Sequence, residues 1–160
     1  MAYAIVTRER MTSESVSAAR LSAKYLPAGT ATAIENGNLV LIGTLVSGER
    51  EVYTATTPAA NSALSAIGLV TTPEVMADER KKNLDEFRNE AGDIITVDKL
   101  FSGDVFSVTV DGLTGTKTVG DVVELQAGTK LNTAATSTAS STKVGTLIDI
   151  VNGNYAIQVA

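Results

Sequence analysis

Short apolar runs recur along most of this chain, separated by Gly-, Asn- and Asp-containing steps. That rhythm belongs to strands rather than to long helices. Leu39, Val40, Leu41 and Ile42, continued by Leu45 and Val46, have the length and branching of a buried strand. Its entry is Glu35-Asn36-Gly37-Asn38, where Asn-Gly supplies the positive φ angles of a tight hairpin. Ser47-Gly48-Glu49 turns the chain again, residues 51–56 alternate like a half-exposed strand stopped by Pro58, and 66–71 form another short strand candidate. Beyond Gly92, strands are expected at 93–97, 102–110, 119–125, 144–151 and 155–159, with Asn152-Gly153-Asn154 joining the last two as a hairpin. Gly103-Asp104-Val105 and Gly120-Asp121-Val122 repeat one step, a corner that suits a barrel and in which Asp bonds to turn backbone. The small, polar stretch 129–142 lacks any period and reads as an exposed loop.

Two segments break this rhythm. Thr72 can cap a helix, Pro73 fits its first position and Glu74 suits the positive end of its dipole. Met76, Leu84, Phe87 and Ala91 fall near one face before Gly92, so an amphipathic helix is expected at about 73–91. Residues 1–30 carry Arg8, Arg10, Arg20 and Lys24 against Glu9 and Glu14 and show no long apolar stripe. They read as an extended N-terminal arm that orders against a partner, leaving 31–160 as a single β-rich domain. The expected fold class is mainly β, a β-barrel-like or β-sandwich domain with one helix and that arm.

Composition narrows the function. In 160 residues there is no Cys, His or Trp, so disulfides, thiolate catalysis, Cys/His zinc sites and imidazole acid–base chemistry are all excluded. The net charge of −5 disfavours nucleic acid as a partner, because phosphate binding needs a concentrated positive surface. The N-terminal residues do not read as a signal peptide, and no apolar run approaches the roughly 18 residues of a membrane span. Gly112 to Thr118 lacks the spacing of a phosphate loop and reads as an ordinary loop. The carboxylate pairs Asp78/Glu79 and Asp85/Glu86 read as a solvated helix face rather than as an acid–base pair. No catalytic residue, metal ligand or cofactor is expected.

Residues 83–92, residues 102–108, the 119–125 segment and the closing Tyr155-Ala156-Ile157 strand together resemble the head decoration, or auxiliary capsid, proteins of tailed phages. The resemblance implies a structural virion protein that binds and stabilises the outer surface of the capsid after synthesis in a bacterial cytoplasm. Its implied partners are the major capsid protein and itself, as a homotrimer. In that setting Arg8, Arg10, Arg20 and Lys24 would pair with acidic capsid surface, while Tyr3, Ile5, Val6 and Tyr25 would supply apolar anchors. Rival roles are a head-fibre or tail base, or a carbohydrate-binding module, for which Tyr3, Tyr25, Tyr53 and Tyr155 are the only large aromatic platforms besides Phe.

Overall fold

Branched and small residues do pair into strands, and two sheets divide them. A computed structural model describes residues 2–78, 80 and 83–160. Strands β2 (Arg20–Tyr25), β3 (Leu39–Leu45), β4 (Val52–Thr56), β5 (Ile67–Val70) and β6 (Ile94–Lys99) close into a barrel in the order β2-β4-β3-β5-β6. The second sheet uses β1 (Val6–Arg10), β7 (Val105–Thr109), β8 (Leu113–Gly115), β9 (Val122–Glu124), β10 (Leu131–Ala134), β11 (Lys143–Val151) and β12 (Asn154–Val159). It is seven-stranded, in the order β1-β7-β12-β11-β9-β10-β8. Pairing is antiparallel except for β2 with β4 and β10 with β8.

The apolar run at 39–42 is explained by its two burials. Val40 points into the barrel with Ala23, Ala55, Val70 and Val97, whereas Leu39 joins Ile67, Leu69, Phe106 and Leu147 between barrel and sheet. Consecutive residues of β3 and of β5 thus enter different cores, and both faces of each must be apolar. Five strands enclose little space, so small residues line the barrel. A Cβ at Gly68 would run into the Val97 side chain.

Turn chemistry sets the strand ends. Asn152 and Gly153 have φ of 52° and 78° and join β11 to β12 with Val151 opposite Asn154, the expected two-residue hairpin. Asn36-Gly37 is a turn of another kind. β3 pairs with β4 and β5 rather than with the strand before the turn, and the Asn36 amide instead grips residue 72, donating to its carbonyl and accepting from its N–H.

Three expectations are corrected. The helix at about 73–91 does not form among the described residues. Residues 73–78 carry no regular structure, Leu84–Glu86 make a single 3-10 turn boxed by Asn83 and Glu86, and residues 79, 81 and 82 lie outside the described set. Its supposed apolar face is not shared: Phe87 is buried, but Leu84 is 51% exposed. Asn89 is buried and pairs with Ile34 through backbone and side chain. Tertiary pairing overrode a weak helical pattern.

The extended N-terminal arm is likewise not a free segment. Residues 1–30 supply β1 to one sheet and β2 to the barrel, and Ala4, Met11, Ala19, Ala23 and Tyr25 are buried. The division at residue 30 therefore cuts through shared cores. Along β2 the residue at the centre of the barrel is the small Ala23, which fits a narrow barrel yet leaves too little hydrophobicity to register as a strand. Within the supposed loop 129–142, Leu131–Ala134 form β10, with Leu131 and Thr133 buried.

Candidate functional site

Ionisable groups are where chemistry would be sought, and the buried ones are already occupied. Asp98 of β6 is fully buried; its Oδ1 accepts from Arg20 Nε at 2.9 Å and its Oδ2 from the Thr71 hydroxyl at 2.8 Å. Asp104 accepts from the Thr12 N–H and hydroxyl and from the Phe101 N–H. Asp121 accepts from the Thr116 hydroxyl and the Thr118 N–H. Glu124 of β9 accepts from Asn132 and from the hydroxyl and N–H of Thr138. Burial pushes the Glu124 carboxyl up, but the bonds from Thr138 and Asn132 outweigh it and hold the group below the usual carboxylate range. Each of these carboxylates fastens backbone or a neighbouring side chain. Among the described residues no cluster of acids is arranged to hold a metal ion.

The surface offers more. β1 lies at one end of the seven-stranded sheet and, among the described residues, pairs only with β7, so no described strand covers its other edge. Arg8 and Arg10 on that strand are exposed and form no ion pair among the described residues. Beside β1, on the outer face of the sheet, a groove of about 530 Å³ is lined by Thr7, Glu9, Val105, Ile148, Val151 and Ala156. Ile148 is 41% and Val151 53% exposed. A β-bulge between Leu147 and Asp149 puts both on this face, although alternation alone would send them to opposite ones. A second recess, about 220 Å³, sits where barrel and sheet meet and is lined by Tyr3, Tyr25, Ile34, Asn38, Arg88 and Lys130.

No family profile, curated protein or solved structure matches the chain. Function therefore has to be argued from these surfaces.

The residues expected to touch a capsid separate into two groups. Val6, Arg8 and Arg10 lie on the edge strand β1, with Ile5 just before it. Ile5 is held there by backbone pairing with Thr109 and by the Thr109 hydroxyl, and Tyr3 N–H donates to the Asp85 carbonyl. The Tyr3 ring lies under Arg88, with the guanidinium carbon 5.4 Å from its centroid. Arg20, Lys24 and Tyr25 belong to the barrel instead. Arg20 is engaged by Asp98, and Tyr25 is buried with its hydroxyl 2.7 Å from that of Thr57. Ile148 and Val151 were missed by sequence reasoning, which placed them in an expected strand at 144–151 without marking them as surface residues. Their signal was a bulge, which no residue type announces. Of the four tyrosines, Tyr25 is buried and Tyr3, Tyr53 and Tyr155 are partly buried. Among the described residues, no helix is long and apolar enough to cross a membrane.

Proposed function

We propose that this protein is a structural virion component that binds and stabilises the outer surface of a tailed-phage capsid, with the major capsid protein as its partner. The observation that carries the proposal is the placing of a strand edge beside a groove that exposes Ile148 and Val151 among polar side chains, Glu9 and Asp149 included, on a chain whose described buried carboxylates hold turns and strands. A protein that works by coverage needs contact area and open backbone groups, and the β1 edge with Ile148 and Val151 provides both. Arg8 and Arg10 add positive charge at that edge on an otherwise acidic chain, which favours an acidic partner surface. Arg20 and Tyr25 lie on the barrel strand β2, where Asp98 and Thr57 engage them, and Lys24 lies between them on the same strand, away from this edge.

The reading supposes a tight, saturable complex. Capsids stripped of this protein should lose resistance to heat or low salt and regain it on re-addition. Ile148→Asp with Val151→Asp should weaken capsid binding at least about tenfold, the consequence of losing roughly 1.4 kcal/mol of apolar contact. Re-addition that leaves capsid stability unchanged, with no saturable binding, would remove the proposal.

A further inference from the structure

We propose that the recess between barrel and sheet is a binding site for a carboxylate that has a hydrogen-bond donor beside it, at the scale of one amino-acid residue. The first observation is an orphaned acceptor. Asn38 is 4% exposed and lines the recess, and its Oδ1 has no hydrogen-bond partner among the described residues. A buried amide oxygen left this way is costly, by about 1–3 kcal/mol, unless something donates to it.

The local design makes this orphan unusual. Three Gly-Asp steps precede strands here, at Gly92-Asp93, Gly103-Asp104 and Gly120-Asp121. In each, the Asp N–H donates to the carbonyl three residues back, and its Oδ2 accepts the N–H of that same residue. Gly37-Asn38 stands in the same position before β3, with Gly37 at φ 78°. Yet the N–H three residues back, that of Glu35, is not bonded to Asn38, and the Glu35 carboxylate is taken by the Ala4 N–H. The Asn38 oxygen is thus left for a group from outside its own turn.

The other walls define what that group carries. Lys130, half-buried on the approach to β10, has no ion pair among the described residues. Arg88 is held by Glu90 through two bonds and spreads over Tyr3, so it is a positive wall rather than a free clamp. Glu35, whose carboxylate accepts from the Ala4 N–H, also lines the recess, so the positive end lies at Lys130; that amine meets a carboxylate, and Asn38 accepts an adjacent N–H or O–H. Tyr3, Tyr25 and Ile34 give an apolar side for a short side chain. The volume of about 220 Å³ falls below the roughly 300 Å³ at which drug-sized pockets begin. One terminal residue with its amide N–H and carboxylate suits it, whether from a free N-acyl amino acid or from the C-terminus of a peptide.

The full chain, labelled with nitrogen-15, should be titrated with N-acetyl-L-alanine, with its C-terminal amide, and with a tripeptide ending in a free Ala carboxylate. Saturable shifts are expected at Ile34, Asn38 and Lys130 with the carboxylates, and at least tenfold weaker binding with the amide. Lys130→Gln, a partly exposed site that leaves the cores intact, should weaken carboxylate binding to the level of the amide while the remaining spectrum stays folded. Tighter binding of the tripeptide assigns the site to a partner's chain terminus, and equal binding assigns it to a small metabolite. Absence of saturable shifts, or carboxylate binding indifferent to Lys130→Gln, overturns the assignment.

Discussion

Asp98 offers the sharpest test of how the barrel is closed. It lies on β6, opposite Arg20 on β2 and Leu69 on β5, so its carboxylate sits at the seam where the last strand meets the first. Asp98→Ala removes the acceptor for the Thr71 hydroxyl, which is buried, and the partner of Arg20, whose side chain is 37% exposed. The stranded hydroxyl costs about 1–3 kcal/mol. The Arg20 bond is discounted to about 1 kcal/mol, because water can replace the lost partner there. Together the loss is roughly 3 kcal/mol, or about 6–12 °C in Tm for a chain of this size. The informative comparison is Arg20→Leu. It deletes the half-exposed partner but leaves a fully buried charge with one hydrogen bond, so it should cost at least as much as Asp98→Ala, about 3–5 kcal/mol. Combining Asp98→Ala with Arg20→Leu in one chain should cost less than the sum of the two single changes. Urea unfolding of the four proteins, with unchanged m values, measures all of this. If Arg20→Leu costs under about 1 kcal/mol and the two changes add, the pair is a surface ornament and the seam is held by backbone bonding alone.

Glu124 has its carboxyl held below the ordinary range in the fold, so it contributes stability that is complete above its unfolded-state value and is lost as pH falls through the folded one. The stability gap between the native protein and Glu124→Gln, measured by urea unfolding across acid pH, should therefore shrink as the medium is acidified; a gap that widens would reverse the sign. Gly145→Ala should destabilise by roughly 1–3 kcal/mol, because a Cβ there meets the Gln158 carbonyl of the paired strand, which cannot swing aside. Calorimetry showing an unchanged Tm would place β11 and β12 farther apart. Deleting residues 1–25 should abolish cooperative unfolding rather than yield a trimmed domain, since it removes β1 and β2; a truncated protein with native near-UV dichroism would restore the arm.

Strands with dense branching were legible: the runs at 39–42, 67–70, 94–97 and 105–109 carry enough Val, Ile and Leu to be read directly. The Asn152-Gly153 hairpin was legible because its conformation is written in its residue types. β2 was not, since a narrow barrel asks for Ala23 where a sandwich would ask for Val or Ile, and small residues give faint periodicity. The helix at 73–91 was misread because its charges, spaced as on a helix face, serve short-range pairs instead, such as Arg88 with Glu90. At the candidate site, Val6, Arg8 and Arg10 could be named from charge and position, and the structure keeps them at a surface edge. Ile148 and Val151 could not, because their shared face depends on a bulge.

The Gly-Asp steps suggest how so faintly patterned a chain reaches a unique register. Each closes a ring between the Asp and the residue three before it, and a glycine with φ of 89° to 97° in the Asp104 and Asp121 turns supplies a backbone shape other residues resist. These bonds span three residues, so they cost little chain entropy to form and need no partner strand. They mark where β6, β7 and β9 begin without relying on a paired strand. A one-residue slip would turn Phe106 and Val108 to solvent and bring Ser107 into the core, and a fixed starting point removes that alternative locally. Asp104 then adds a long bond to Thr12, tying the turn that starts β7 to the residues just after β1, its neighbour in the sheet. Local turns set the phase, and the buried carboxylates convert that phase into pairing across the fold.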